Sequence, residues 1–366
     1  MFSRSSRLVL ASLCSGLCVA SAAVALAQSG PKVVSAPGTA SAQAEPTVAK
    51  AGKPFAPPGT KGSPIVGELF HAQVLLDAAG FSPGVIDGKK GMSLTQAIKG
   101  FQESRGLETN GALDTPTRQA LLENGRPSTV QVTLGPDDVR STYIYPLPKD
   151  PAKQETLPFL GYRNMLEKVA ERYHTTPGTV VALNGPEALI GLGQVLRLPN
   201  VVPASRDYSG VPGKGATVMN LLNVDGRQPQ GKSILVNKSD GVLKVLDADD
   251  RLVAQFPVTM GSTHDPLPIG EWKVTTYAFM PPFHYQPNLF WDAKDTSTEH
   301  MLPPGPNGPV GVAWLDLTKE HYGIHGTPEP STIGRAESHG CIRMTNWDVM
   351  RLARMIKPGF PAKFEE

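Results

Sequence analysis

The sequence predicts a multi-domain chain that ends in a mainly β domain and begins with two small, helix-bearing modules. Three observations carry this. Apolar residues recur at helical spacing between 63 and 125; a shorter helical stretch near 160–200 closes on an apolar strand; and from Lys232 the apolar period switches toward two. Gly (37) and Pro (35) are abundant in the 366 residues, which fits several modest modules joined by linkers better than one large helical body. Lys plus Arg (35) nearly balance Asp plus Glu (33), so the composition lacks the basic footprint of a nucleic-acid binder.

Residues 1–27 read as an export signal. Arg4 and Arg7 precede an apolar run rich in small residues, and Ala25-Leu26-Ala27 fits the small-x-small rule for cleavage after Ala27. A retained anchor is the alternative, since the run approaches spanning length. Leu13 and Leu17 stand before Cys14 and Cys18, where a lipoprotein signal needs a small residue. The mature chain is expected in a periplasm, with no stable membrane span after cleavage. Residues 28–62, rich in Ala, Pro, Gly, Ser and Lys, cannot bury enough apolar surface to offset chain entropy and read as a flexible tether.

The helical module spans 63–125. Leu69, Ala72, Leu76 and Ala79 share one face of a first helix. Ser93-Leu94-Thr95-Gln96 reads as a capping box, followed by Leu94, Ala97, Ile98 and Phe101 at i, i+3, i+4, i+7. Asp114-Thr115-Pro116 opens a third helix and Gly125 ends it. Pro83-Gly84-Val85-Ile86-Asp87-Gly88, then Phe101-Gln102, Gly106-Leu107 and Gly111, resemble the peptidoglycan-binding-domain-1 family.

A connector over 126–158 leads to a module at 159–201. Leu166, Val169, Ala170 and Tyr173 form an amphipathic stripe, Thr176-Pro177 caps a second short helix, and Gly193 to Pro199 reads as a closing strand. This is similar to a LysM domain, a βααβ glycan binder. It departs from that family where Gly161-Tyr162-Arg163-Asn164 replaces the Gly-Asp-x-Leu opening. A second connector covers 202–231.

The last domain, 232–366, reads as strands. Ile234 and Val236, then Val242, Lys244 and Leu246, flank a hairpin turn at Ser239-Asp240-Gly241, and Leu252 to Thr259 is a third strand. Trp272 to Tyr277 alternates again after a Pro-rich turn. The aromatic segment 281–296, with Phe283, His284, Tyr285, Phe290 and Trp291, has the length and composition of a lid. Val310 to Leu315 and Tyr322 to His325 are short strands. Thr345-Asn346 caps a final helix that buries Val349, Leu352, Ala353 and Ile356.

The chemistry concentrates near Cys341, the one cysteine left after signal cleavage. An unpaired thiol in an exported protein is either buried and inert or reactive. A free thiol is only a few per cent thiolate at neutral pH, so a reactive one needs a base. His339 lies two residues away, and His325 ends a strand that could lie beside the cysteine segment; His325 is the preferred base because strand pairing could aim its ring at the sulfur. Gly340 would admit a reacting carbonyl, with its amide and that of Cys341 as oxyanion donors. Ser338 and Gly326 flank the same turns. Arg343 suits a carboxylate or a structural ion pair. Zinc held by His321, His325, His339 and Cys341 is the competing chemistry, but the His321-x3-His325 spacing suits a helix whereas Tyr322-Gly323-Ile324 reads as strand.

Tyr322-Gly323-Ile324-His325-Gly326-Thr327, then Ser338-His339-Gly340-Cys341-Ile342-Arg343-Met344, resemble the active-site signature of the YkuD family of L,D-transpeptidases over about residues 232–364. The resemblance implies a β-sandwich-like catalytic domain with the thiol in a groove under a lid. It implies Cys341 as nucleophile and His325 as base, supported by His339, Gly340, Ser338 and Gly326, with Arg343, Trp314, Tyr322 and Tyr285 as substrate-binding candidates. It carries no metal and no organic cofactor. Peptidoglycan stem peptides and glycan strands are the expected partners, with an outer-membrane protein as a further acceptor. An L,D-carboxypeptidase using water, and a non-catalytic wall-binding protein, are the rival readings.

Overall fold

The computed structural model describes residues 65, 67–123, 125–262, 264–290, 293, 298–335 and 340–366. The expected export signal, the tether, and the residues Ser338 and His339 lie outside the described residues. No described helix is long and apolar enough to cross a membrane.

Helices α1 (Gly67–Ala79), α2 (Met92–Ser104) and α3 (Thr115–Leu122) form the expected bundle. Asp114 caps α3 by accepting from the Thr117 amide at 2.9 Å. The capping box expected at Ser93 is not formed. Helix α2 already begins at Met92, with Gly91 at the cap position, so Ser93 lies inside the first turn. Gln96 instead donates to Asp240 of the C-terminal body at 3.0 Å, a tertiary bond replacing the local one. Helix α1 is buried on both sides rather than along one stripe. Leu75 and Leu76 pack with α2 and α3, while Phe70 and Val74 belong to the core of the following module.

That module differs from expectation at its start. Strand β1 (Thr129–Thr133) lies in the stretch read as a connector and pairs antiparallel with β2 (Val195–Pro199). Helices α4 (Pro136–Val139), α5 (Pro151–Glu155), α6 (Met165–Arg172) and α7 (Pro177–Asn184) lie between the two strands in sequence. The alternation in Thr129–Thr133 is only partly buried and therefore weak in sequence. The pairing moves the opening strand about thirty residues upstream and makes α4 and α5 an insertion within the βααβ pattern.

The second connector is also structured. Helix α8 (Gly215–Leu221) places Val218, Met219 and Leu222 in the C-terminal core, which therefore begins before residue 232. The strands follow as β3 (Ser233–Asn237), β4 (Val242–Leu246), β5 (Leu252–Pro257), β6 (Thr259–Met260), β7 (Gly270–Phe279), β8 (Phe283–Tyr285), β9 (His300–Leu302), β10 (Ala313–Leu317), β11 (Gly323–His325), β12 (Ile342–Arg343) and β13 (Pro361–Glu365), with helix α9 (Asn346–Met355) between the last two. Nine of them make one sheet in the order β5-β4-β3-β13-β7-β10-β11-β12-β6. Its two end strands, β5 and β6, are separated in sequence by Val258 alone. The sheet must therefore curl until its ends meet, giving the sandwich-like body expected. Alternate residues such as Ile234, Val236, Leu243, Val245, Leu315, Ile324 and Ile342 face inward onto Trp347, Val349 and Met350 of α9. In β4 the inward residues are Leu243 and Val245, while Leu246 packs toward the bundle. The aromatic segment after residue 281 is not wholly loop: β8 and β9 pair as a hairpin.

The modules share buried polar bonds. The bundle covers the end strand β5, where Gln255 exchanges backbone bonds with Gly80 and Ser82 and its side chain donates to the Gln96 carbonyl at 2.6 Å. Arg351 of α9 bonds Asp77 of α1 at 3.2 Å, His174 meets the same carboxylate at 3.2 Å, and its ring stacks on Trp347 with centroids 4.9 Å apart. Glu171 of α6 accepts from the Tyr162 hydroxyl at 2.5 Å and from Asn346 Nδ2 at 2.8 Å.

Burial pushes the Glu171 carboxyl up to about 7. A carboxyl raised in the folded state binds its proton while the unfolded chain has already lost it, so its contribution to stability is complete below the unfolded pKa and is lost as pH rises toward 7. Glu171→Gln removes this titration. Its stability relative to wild type should improve by on the order of 1–3 kcal/mol between pH 4.5 and pH 8, measured by urea unfolding at each pH. An unchanged difference across that range would show that Glu171 does not titrate there.

Candidate active site

Strand β11 runs parallel to β12, with Ile324 opposite Ile342 and His325 opposite Arg343. Because side chains alternate across a strand, this register sorts the residues into two faces. Ile324 and Ile342 enter the core. Gly323 and His325 of β11, with Cys341 and Arg343, share the other face. Trp314 of β10 is the antiparallel partner of His325 and presents its ring to it, centroids 5.3 Å apart and planes 17° from parallel. Thiol and imidazole, sixteen residues apart in sequence, thus reach one cavity because two short strands pair in this register.

His325 is buried, and its Nδ1 donates to the Gly326 carbonyl at 2.7 Å. That bond leaves Nε2 as the nitrogen able to take a proton. Burial, and then the nearby Arg343 guanidinium, lower the imidazole pKa to about 3, so the ring is neutral at ordinary pH. Cys341 is half-buried, and its Sγ lies 3.8 Å from the His321 carbonyl. Burial pushes the thiol up, while the Gly323 amide and Arg343 act in the opposite direction. Burial thus acts on both groups in the direction of their neutral forms.

Two glycines next to this pair in sequence are fixed by space. Gly340 has φ +94°, and a Cβ there would lie 2.7 Å from Tyr322 Cε1, so only glycine makes this turn without displacing the tyrosine. A Cβ on Gly326 would meet Asn346 Oδ1 at 2.1 Å. The same Asn346 oxygen accepts from the Val312 amide at 3.1 Å, so the carbonyl that orients His325 is backed by the first residue of α9.

Cys341, His325, Arg343, Trp314, Tyr322 and Tyr285 all line one cavity of about 780 Å³. This volume is in the range of pockets that enclose a small organic ligand. Tyr285 stacks on Phe290, centroids 5.3 Å apart, so the hairpin of β8 and β9 supplies an aromatic wall. Trp314 contacts the imidazole directly, which gives it an orienting contact beside its place in the lining. The reading of the sequence missed Lys149, Pro151 and Gln154, which line the cavity from the segment around α5. Its only sequence signal is the Asp150-Pro151 helix start, which carries no hint of a distant partner. Among the described residues no group of three or more His, Cys, Asp or Glu side chains is placed to hold a metal ion.

A family model described as the L,D-transpeptidase catalytic domain matches residues 231–363, and one for a peptidoglycan binding domain matches residues 68–121. The chain is 30% identical over 198 residues to the L,D-transpeptidase YkuD of Bacillus licheniformis, covering 53% of this chain and 89% of that protein. It is 35% identical over 114 residues to the protein of the same name in Bacillus subtilis, covering 31% of this chain and 54% of that one. Among solved structures, L,D-transpeptidase 3 of Mycobacterium tuberculosis aligns at 18% identity with a TM-score of 0.30, covering 37% of this chain and 60% of that chain. The chain thus spans less than two thirds of the last two.

Proposed function

As a member of the YkuD family of L,D-transpeptidases, with the coverage of the Bacillus licheniformis relative behind that assignment, this chain is one we propose to act by cysteine acyl transfer on peptidoglycan stem peptides. The observation that carries the reading is the shared face of Cys341, His325 and Arg343 in a cavity of about 780 Å³. The thiol attacks the carbonyl of the third stem residue at its L-centre while His325 Nε2 takes the thiol proton. Collapse of the tetrahedral intermediate breaks the bond to the terminal D-alanine, and the imidazolium returns the proton to the leaving amine. The product is a thioester on Cys341. An incoming amine then attacks it, gives up its proton to His325, and regenerates the thiol.

A second stem peptide supplying that amine gives a 3–3 cross-link, and a lysine of an outer-membrane protein gives anchoring to the wall. The peptidoglycan-binding module at 68–121 supports the reading, since holding an enzyme on an insoluble polymer raises its effective substrate concentration. The βααβ module adds a second surface for glycan strands. A cleaved export signal over 1–27 would place the enzyme in the periplasm, where this polymer lies.

Incubation of purified protein with muropeptide tetramers, followed by mass spectrometry, tests the reading. Cross-linked dimer with released D-alanine is the expected product. Tripeptide without dimer would indicate a carboxypeptidase, and binding without any turnover would indicate a wall-binding protein.

A further inference from the structure

The catalytic cavity is not built by the catalytic domain alone. Lys149, Pro151 and Gln154 line it, yet they lie in neither family match, since these cover 68–121 and 231–363. The segment is also braced in place. Asp150 caps α5 by accepting from the Ala152 amide at 3.0 Å, and Gln154 Nε2 donates to the Pro148 carbonyl at 2.7 Å, closing the turn that carries Lys149. The Glu155 carboxylate accepts from the Met301 amide at 3.1 Å and meets His300 Nδ1 at 2.8 Å. Both partners belong to β9, whose hairpin mate β8 lines the same cavity. The insertion and the aromatic hairpin therefore form one continuous wall.

The charges on that lining are unequally engaged. The Lys319 ammonium sits over the rings of Tyr322 and Trp272, at 5.4 and 5.9 Å from their centroids. His321 meets Glu320 at 3.5 Å. Lys149 is exposed on the lining and forms no ion pair among the described residues. A stem peptide is an acidic ligand, with a free carboxylate at its terminus and others along its length.

We propose that Lys149 is a specificity-determining residue, a cation that the insertion around α5 contributes to the cavity to bind a carboxylate of the donor stem peptide. The proposal rests on the L,D-transpeptidase reading above. Lys149 takes no part in the bond-making steps. It adds binding that is equal in ground and transition states, so its removal acts on KM.

The test uses the full chain, a tetrapeptide donor and three variants, Lys149→Ala, Lys149→Glu and Lys149→Arg. KM should rise roughly 3- to 10-fold for Lys149→Ala and further for Lys149→Glu, with kcat within about twofold and Lys149→Arg close to wild type. The difference should shrink at high salt, as it does for any charge pair open to solvent. The rate of Cys341 alkylation by iodoacetamide should be the same in all four proteins. Turnover with KM unchanged in the Ala and Glu variants overturns the proposal and leaves the transpeptidase reading standing. A changed alkylation rate also overturns it, because the segment would then act by holding the site together. Absence of turnover in the wild type overturns the transpeptidase reading, and this proposal with it.

Discussion

Cys341→Ala is expected to lower release of D-alanine and formation of cross-linked product by at least about 10⁴-fold. No other cysteine lies among the described residues, and the cavity lining holds no serine or threonine, so nothing nearby replaces a sulfur nucleophile. The fold should tolerate the change. The side chain is half-buried, lies outside the apolar core that Ile342 and Ile324 enter, and alanine keeps its Cβ. Binding to isolated sacculi, expected of the module at 68–121, should therefore survive. Loss of sacculus binding together with loss of turnover would point to unfolding instead, and circular dichroism with thermal melting separates the two outcomes.

The second large effect is at His325. His325→Ala should reduce acylation by about 10²- to 10⁴-fold, the usual worth of a positioned general base. The wild-type pH profile carries a sharper signature. With the imidazole held at about 3 by burial and Arg343, the ring is neutral and able to accept a proton throughout the range above that value. Acylation by the wild type should therefore show no acid limb near the ordinary imidazole pKa of about 6.5. Activity should stay level from neutrality down to about pH 4, as far as the protein remains folded. A limb centred near 6.5 would mean that substrate, or a carboxylate it brings, restores an ordinary histidine.

Much of this site was legible in the sequence because its signals are local. The strand ending in His325 and the helix cap at Thr345 each rest on a few adjacent residues, and each forms as expected, while Gly340 takes the positive φ that glycine allows. Thr345 accepts from the Asp348 amide at 3.2 Å, and α9 follows at once. What the sequence concealed depended on distant partners. Ser93 has the residues of a capping box, but Gln96 is drawn to Asp240, 144 residues away. Strand β1 is short and only partly buried, so it could be recognised only through its pairing with β2. Lys149 and Gln154 sit in a Pro-rich, polar stretch that reads as a linker, and become part of the cavity only through the grip of Glu155 on β9. The family resemblance marked Tyr285 and Trp314 as candidates, while the contact between Trp314 and the imidazole follows from register, which no single strand records.

One sulfur becoming acylated is the event on which the account turns, and intact-protein mass spectrometry reads it directly. Wild-type protein mixed with a tetrapeptide donor, with no amine acceptor present, should gain the mass of one acylated stem tripeptide. Peptide mapping should place the addition on Cys341, and hydroxylamine should remove it as it does a thioester. Turnover of the donor with no such adduct under any quench, or an adduct that persists in Cys341→Ala, would contradict the account.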